Sequence, residues 1–254
     1  MSLNNKDQAR DLFFEALDIL NPAKEDPKRG DEVKEIYARI QNELDSIDNV
    51  KRLNQTDPIF NFAAHDSNPQ IGEIILFNKN IYGANKNNNK IFQISETNFS
   101  LQDTVQISTQ DGQIQAAIPY SNLILWKTNS KNLYSLNLNS NSLQKQKTDA
   151  DEWKNGIGIS SYFRSIYFLV PLENQIYKYT SGSSGWSKPK DSIDNSKADI
   201  SKAISFDIDG YIYVLNQNGS CIKFSKGNPI PDFSLKDTPP PFDKIEDPVT
   251  IKTS

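Results

Sequence analysis

The 254 residues include one cysteine, Cys221, and one histidine, His65. A lone cysteine excludes any disulfide within the chain. One Cys and one His cannot build a zinc cluster, which needs several such ligands. A Ser-His-Asp or Cys-His system would have to use His65, which sits in NFAAHDSNPQ, a polar loop-like stretch with no nucleophile motif beside it. No apolar run approaches the roughly 20 residues that cross a bilayer. The opening MSLNNKDQAR lacks the basic and then apolar layout of a secretory signal. As written, the chain is expected to carry no address and to insert into no membrane by itself. Runs of one charge sign are also missing. Lysine and arginine number 28 against 32 acids, for a net charge of -4 and a pI near 5.2. Phosphate contacts dominate nucleic-acid affinity and call for a basic stripe, so no nucleic-acid partner is expected.

What is present falls into two parts. Hydrophobic residues make up only 36% of the chain, but aromatics reach 10%, so a core rests on how those aromatics are placed. Mean hydropathy is -0.62. Within residues 6–53, Ala9, Phe13, Ala16 and Leu20 recur at steps of a helical seam. Asn21-Pro22 ends that pattern, since the residue before proline is pushed out of the α region. Val33, Tyr37, Ile40, Leu44 and Ile47 repeat the seam after a charged connector. The pattern predicts an antiparallel helical hairpin over residues 1–56, with helices at about 6–20 and 30–53. It resembles a single tetratricopeptide-like unit, which cannot bury its own face alone, so a spacer is the better reading.

From Asp57-Pro58 onward the periodicity changes to two. NIYGANKNNNKIFQIS from Asn80, LILWKTNSKNLYSLN from Leu123, SIYFLVPLENQIYKYT from Ser165 and YIYVLNQNGSCIKFSK from Tyr211 each read strand, polar turn, strand. They recur every 42 to 46 residues. Short strands repeating at roughly that length mark a β-propeller. A less charged strand precedes each pair (GEIILFN, QAAIPY, GISSYF, AISFDI), as suits a crowded hub. A more polar one follows (TVQIS, LQKQKT, GWSKPK, and DFSL for the last), as suits a solvent-facing edge. The fold class expected is therefore mainly β, a propeller over residues 57–254 preceded by the hairpin. Its four-stranded blades lie near 72–108, 114–147, 157–189 and 203–236. A partial closing blade would combine 248–254 with 58–62. That incomplete closure suggests part of a longer protein, and open blade edges predict self-association.

DISKAISFDIDGYIYVLNQNGSCIKFSKGNP, LNNKDQARDLFFEALDIL and IQNELDSIDNVKRL together resemble the C-terminal helical and propeller region of bacterial membrane-anchored proteins that carry a PP2C-type phosphatase-like domain N-terminally. The resemblance covers the hairpin and the blades and is most specific in the fourth blade. No phosphatase residue carries over, because that domain and the membrane span are not in this sequence. The resemblance implies a place on the extracytoplasmic side of a bacterial membrane, within a membrane-anchored parent.

Candidate sites are few. Asp207 and Asp209 in FDIDGYIYV are the acids a propeller metal site would use, yet Asp209-Gly210 also reads as a tight turn. Trp153 in DADEWKNG and Trp186 in SGSSGWSKP read as loop residues able to stack on a ligand. No set of residues has catalytic spacing, and no cofactor is implied. The leading expectation is a non-enzymatic binding or sensing module meeting a protein, peptide or envelope glycan. The alternatives are a metal-dependent propeller hydrolase or lactonase, and a purely structural spacer.

Overall fold

The structure is a computed structural model describing residues 3–48, 50, 57–150, 152–183, 185–231, 233 and 249–253. The chain divides into two compact units, Met1–Pro58 and Ile59–Ser254.

The first unit is a helical hairpin. Helix α1 spans Leu3–Leu20 and passes into a 3-10 turn, Asn21–Glu25, where Pro22 sits in the first turn and its missing N–H costs nothing. Helix α2 spans Gly30–Asp48. The Asp26 carboxylate accepts from the backbone N–H groups of Lys28 and Arg29 at 2.7 and 3.1 Å and fixes the approach to α2. Asp31 and Glu32 then complement the helix dipole in its first turn. Leu17, Val33 and Leu44 are buried in the seam, with Phe13, Tyr37 and Ile40 half-buried around them. Lys24 lies over the Tyr37 ring, 3.2 Å from its centroid. The expected end of the second helix, residues 49–53, falls mostly outside the described residues.

The second unit is a β-propeller. Its first sheet comprises β1 (Ile71–Phe77), β2 (Asn80–Asn85), β3 (Lys90–Ser95) and β4 (Leu101–Gln106). The second comprises β5 (Ile114–Tyr120), β6 (Leu123–Thr128), β7 (Leu133–Asn137) and β8 (Ser142–Lys145). The third comprises β9 (Gly158–Tyr162), β10 (Ser165–Val170) and β11 (Gln175–Gly182), edged by the short β12 (Gly185–Trp186) and β13 (Lys190–Asp191). The fourth comprises β14 (Ala203–Ile208), β15 (Ile212–Asn216), β16 (Cys221–Ser225) and β17 (Asn228–Pro229). Each sheet is an antiparallel meander in chain order. The first strands pack on one another in succession, β1 on β5, β5 on β9 and β9 on β14. Sheets joined at their innermost strands in this way stand around a common hub as blades.

The core lies between blade faces. Ile75, Tyr82 and Ala84 of blade 1 meet Ile114, Ile124 and Trp126 of blade 2. Leu125 and Leu133 on the opposite face of blade 2 meet Ile166, Phe168 and Tyr179 of blade 3. Tyr167, Leu169 and Ile176 of blade 3 meet Phe206, Val214 and Phe224 of blade 4. This division follows from the period of two, since neighbouring residues of a strand serve opposite interfaces.

Two expected edges are placed differently. The described outer strand of blade 4 is Asn228–Pro229, and the expected stretch at 232–235 lies, except for Phe233, outside the described residues. Lys226 and Gly227 take φ of 48° and 84°, the conformation of a tight hairpin turn, and so return the chain at once. The GWSKPK edge of blade 3 is split between β12 and β13, with Pro189 between them unable to donate to a ladder. Residues 58–62, read above as strand, form none. Phe62 starts a 3-10 turn and lies edge-on to Phe92, with ring centroids 5.3 Å apart. Gly83 makes room for that ring, because a Cβ there would come within 2.7 Å of it.

Candidate binding site at the propeller hub

The first strand of each blade lines the hub. From β1 comes Glu73, half-buried, facing the backbone N–H of Ala117 in β5. Burial pushes its carboxyl above the ordinary range, and the charges of Lys86 and Lys252 oppose that rise. From β9 come Ser160 and Ser161. Ser161 reaches back to the carbonyl of Pro119 in β5 at 3.4 Å, and Ser160 donates to Asp207 of β14 at 2.7 Å.

Residues 249–253 run beside β14. The backbone N–H of Ile251 donates to Ser205 Oγ at 3.2 Å, and that of Thr253 to Asp207 Oδ2 at 2.9 Å. Thr253 Oγ1 also donates to Asp207 Oδ2 at 3.3 Å, and the hydroxyls of Thr250 and Ser205 share a bond of 3.1 Å. Each of these pairs is 45 or 46 residues apart, the interval of the blade repeat. Both partners advance by two residues in the same direction, so the segment runs parallel to β14, as the first strand of a following blade would.

Asp207 is thus a hub residue, bridging Ser160 to the 249–253 segment. Asp209 is not part of that arrangement. Its carboxylate accepts from the Tyr211 N–H at 3.1 Å and the Tyr213 hydroxyl at 3.3 Å, which shapes the β14–β15 turn around Gly210 at φ 117°. Among the described residues, no three of Asp, Glu, His and Cys gather closely enough to share a metal ion. His65 is stacked on Phe60 at 5.1 Å, engaged outside the hub bonds.

Trp153 and Trp186 are each only 4% exposed, which removes them as a stacking platform. They pack in the core between blades 2 and 3, their rings 6.2 Å apart, with Trp153 against Tyr179 and Trp186 against Tyr120. Both indole N–H groups bond to Gln146, one to its carbonyl and one to its side chain. Glycine and serine around Trp186 give a loop-like sequence, and nothing in it reveals that the loop folds inward. Glu73 is inconspicuous in the sequence for the opposite reason. It lies in an otherwise apolar strand, and a single carboxylate at a hub-facing position of GEIILFN was the available signal.

Other ionisable groups are held within blades. Asp111 accepts from Tyr134 and Lys145, both at 2.6 Å, and those bonds hold its carboxyl below the usual range. Glu173 joins Lys154 and Tyr177 in the same manner. Burial pushes the Cys221 thiol up to about 11, so it stays protonated and unreactive at neutral pH.

No protein-family model matches the chain, and no curated protein matches its sequence. Solved propeller structures are similar at a distance. BamB from Moraxella catarrhalis aligns with a TM-score of 0.41 and 8% identity, over 62% of this chain and 46% of its own. The WD40 domain of Neurospora crassa Pan2 gives 0.47 and 9%, over 66% and 49%. The computationally designed Ika4 protein gives 0.46 and 6%, over 67% and 99%. The chain spans about half the length of the first two structures. The propeller architecture rests on the sheets and their packing.

Proposed function

We propose that this chain is a non-enzymatic binding module whose propeller takes up an extended polypeptide segment at its hub. One observation carries the reading: the backbone N–H groups of Ile251 and Thr253 are each held by a side chain of β14. N–H groups repeating every second residue are what an extended strand offers whatever its side chains. Polar groups fixed on a rigid scaffold are suited to recognising them. A protein or peptide is therefore the favoured ligand class. A glycan loses its stacking platform with the burial of both tryptophans. The described hub bonds do not assemble a nucleophile with an activating base. Ser160 donates to a carboxylate that Thr253 already occupies. The module would work at the end of a larger membrane-anchored bacterial protein, a placement that rests on the sequence resemblance of the hairpin and the fourth blade.

The test uses a fluorescent peptide of residues 247–254 and the full chain. In the Ile251→Pro variant the chain's own segment loses one hub bond, and the peptide is expected to bind saturably and more tightly than to the unmodified chain. Adding Asp207→Ala should weaken that binding about tenfold or more, the scale of one hydrogen bond to a charged group. Anisotropy that never rises with either protein would refute the reading.

A further inference from the structure

The turn between the first two strands of each blade uses positive φ, and one residue suits it poorly. Asn78 and Lys79 in blade 1, Ser121 in blade 2 and Phe163 in blade 3 take φ of 50°, 61°, 54° and 51°, and Gly210 serves blade 4 at φ 117°. This left-handed region favours glycine and asparagine, and a bulky side chain there is strained. Phe163 is nevertheless aromatic, and it is 85% exposed. Burial of its ring does not offset the strain, so the folded chain gains little from phenylalanine here. An exposed aromatic kept in a conformation that disfavours it is suited to contacts outside the chain.

Phe163 belongs to a continuous patch across blades 3 and 4. Its ring stands edge-on to Tyr162, with centroids 4.5 Å apart. Tyr162 is half-buried and packs against the core between the two blades, which fixes the base of the patch. Its hydroxyl reaches Gly210, where a Cβ would come within 3.1 Å of it. Tyr211, the next residue, is 42% exposed, and Lys223 lies over its ring, 4.1 Å from the centroid. Arg164 follows Phe163 in the turn, is exposed, and enters no ion pair among the described residues. Asp209, the acid of the neighbouring turn, has its carboxylate engaged by the Tyr211 N–H and the Tyr213 hydroxyl. Arg164 and Lys223 thus leave the patch cationic on a chain of net charge -4.

We propose that this patch docks a partner protein through a segment that sets a carboxylate beside a large apolar side chain. The apolar group covers Phe163 and Tyr211, and the carboxylate meets Arg164, whose planar fork can hold both of its oxygens. Tyrosine, phenylalanine and arginine are residues that concentrate at protein interfaces. The negative charge of the whole chain opposes a polyanion such as a nucleic acid, whereas a short acidic segment is drawn to the local cations. The patch shares no bond with Asp207, so it goes beyond the hub reading above and does not depend on it.

A phage-displayed random-peptide library, selected on the unmodified chain and then depleted on Phe163→Asn, tests the proposal. Asparagine suits the turn, so Phe163→Asn is expected to melt no lower than the unmodified chain. The surviving pool should be rich in aspartate or glutamate beside leucine or an aromatic. Synthetic peptides from it should bind Phe163→Asn about tenfold or more weakly, the scale of an interface anchor. Arg164→Glu should lose the acidic pool and select a basic one in its place. Peptides that engage the hub bind both chains and leave with the depletion, so failure here and failure of the hub reading are told apart. An empty pool, or one without acids, overturns the proposal. A lower melting temperature for Phe163→Asn also overturns it, since the ring would then serve the fold. So does a mass that rises with concentration in the unmodified chain but not in Phe163→Asn, which would put a second copy on the patch.

Discussion

Lys127 is the least expected residue of the molecule. It is the next-to-last residue of β6, fully buried, on the side of that strand facing blade 3. Its ammonium donates to Gln115 Oε1 at 3.0 Å and to the Thr128 carbonyl at 2.9 Å, and the Phe168 ring lies 5.8 Å away. No carboxylate partner is among these contacts, and burial lowers its pKa from 10.5 to about 8. The unfolded chain, with the higher pKa, binds the proton more tightly. The charged form therefore opposes folding in full below about pH 8, and the cost fades as pH rises toward 10.5. That shift corresponds to about 3 kcal/mol. Lys127→Met is accordingly expected to raise the melting temperature at pH 7 and to flatten its rise between pH 8 and 10. Melting curves across that range check both. An unchanged or lower melting temperature at pH 7 would show that the two hydrogen bonds outweigh desolvation. The sequence disguised this site: in LILWKT the lysine looks like the polar face of a strand, but blade 3 covers that face.

At the scale of elements, the hairpins were readable because turn chemistry and alternation agree. Asn78 and Lys79 adopt φ of 50° and 61° between β1 and β2, and Gly210 serves the corresponding turn in blade 4. The seam of the second helix was readable from its spacing, with Val33 and Leu44 buried in it, whereas on the first helix the buried residue is Leu17, beside the half-buried Phe13, Ala16 and Leu20 of the expected seam. Outer edges were not. Short strands carry little pattern, and their position depends on the turn before them, as at Lys226-Gly227, or on a side chain anchored elsewhere. Trp186 is such an anchor. It lies in the two-residue β12, donates its backbone N–H to the Lys147 carbonyl, and accepts from the Asp149 N–H, tying blade 3 to the chain leaving blade 2. Trp186→Ala is expected to cost about 3–5 kcal/mol, as for large-to-small changes in a packed core. Chemical denaturation measures this, and a loss below about 1 kcal/mol would mean the ring is not part of the core.

The second unit is a propeller whose blades are packed face to face through apolar cores and whose hub bonds are polar. The repeat made the architecture visible in sequence because every blade needs the same alternation. The hub was harder to see, since its lining comes one or two residues at a time from strands 40 or more residues apart. Only their assembly shows that Ser160, Ser205 and Asp207 share one place. The central claim is that this hub grips the backbone of an extended segment. Hydrogen exchange at the amides of Ile251 and Thr253 tests it most directly. The expected result is slowed exchange at both in the unmodified chain, restored to the rate of a free peptide by Ser205→Ala with Asp207→Ala while the amides of β10 stay protected. Free-peptide exchange at both positions in the unmodified chain would contradict it.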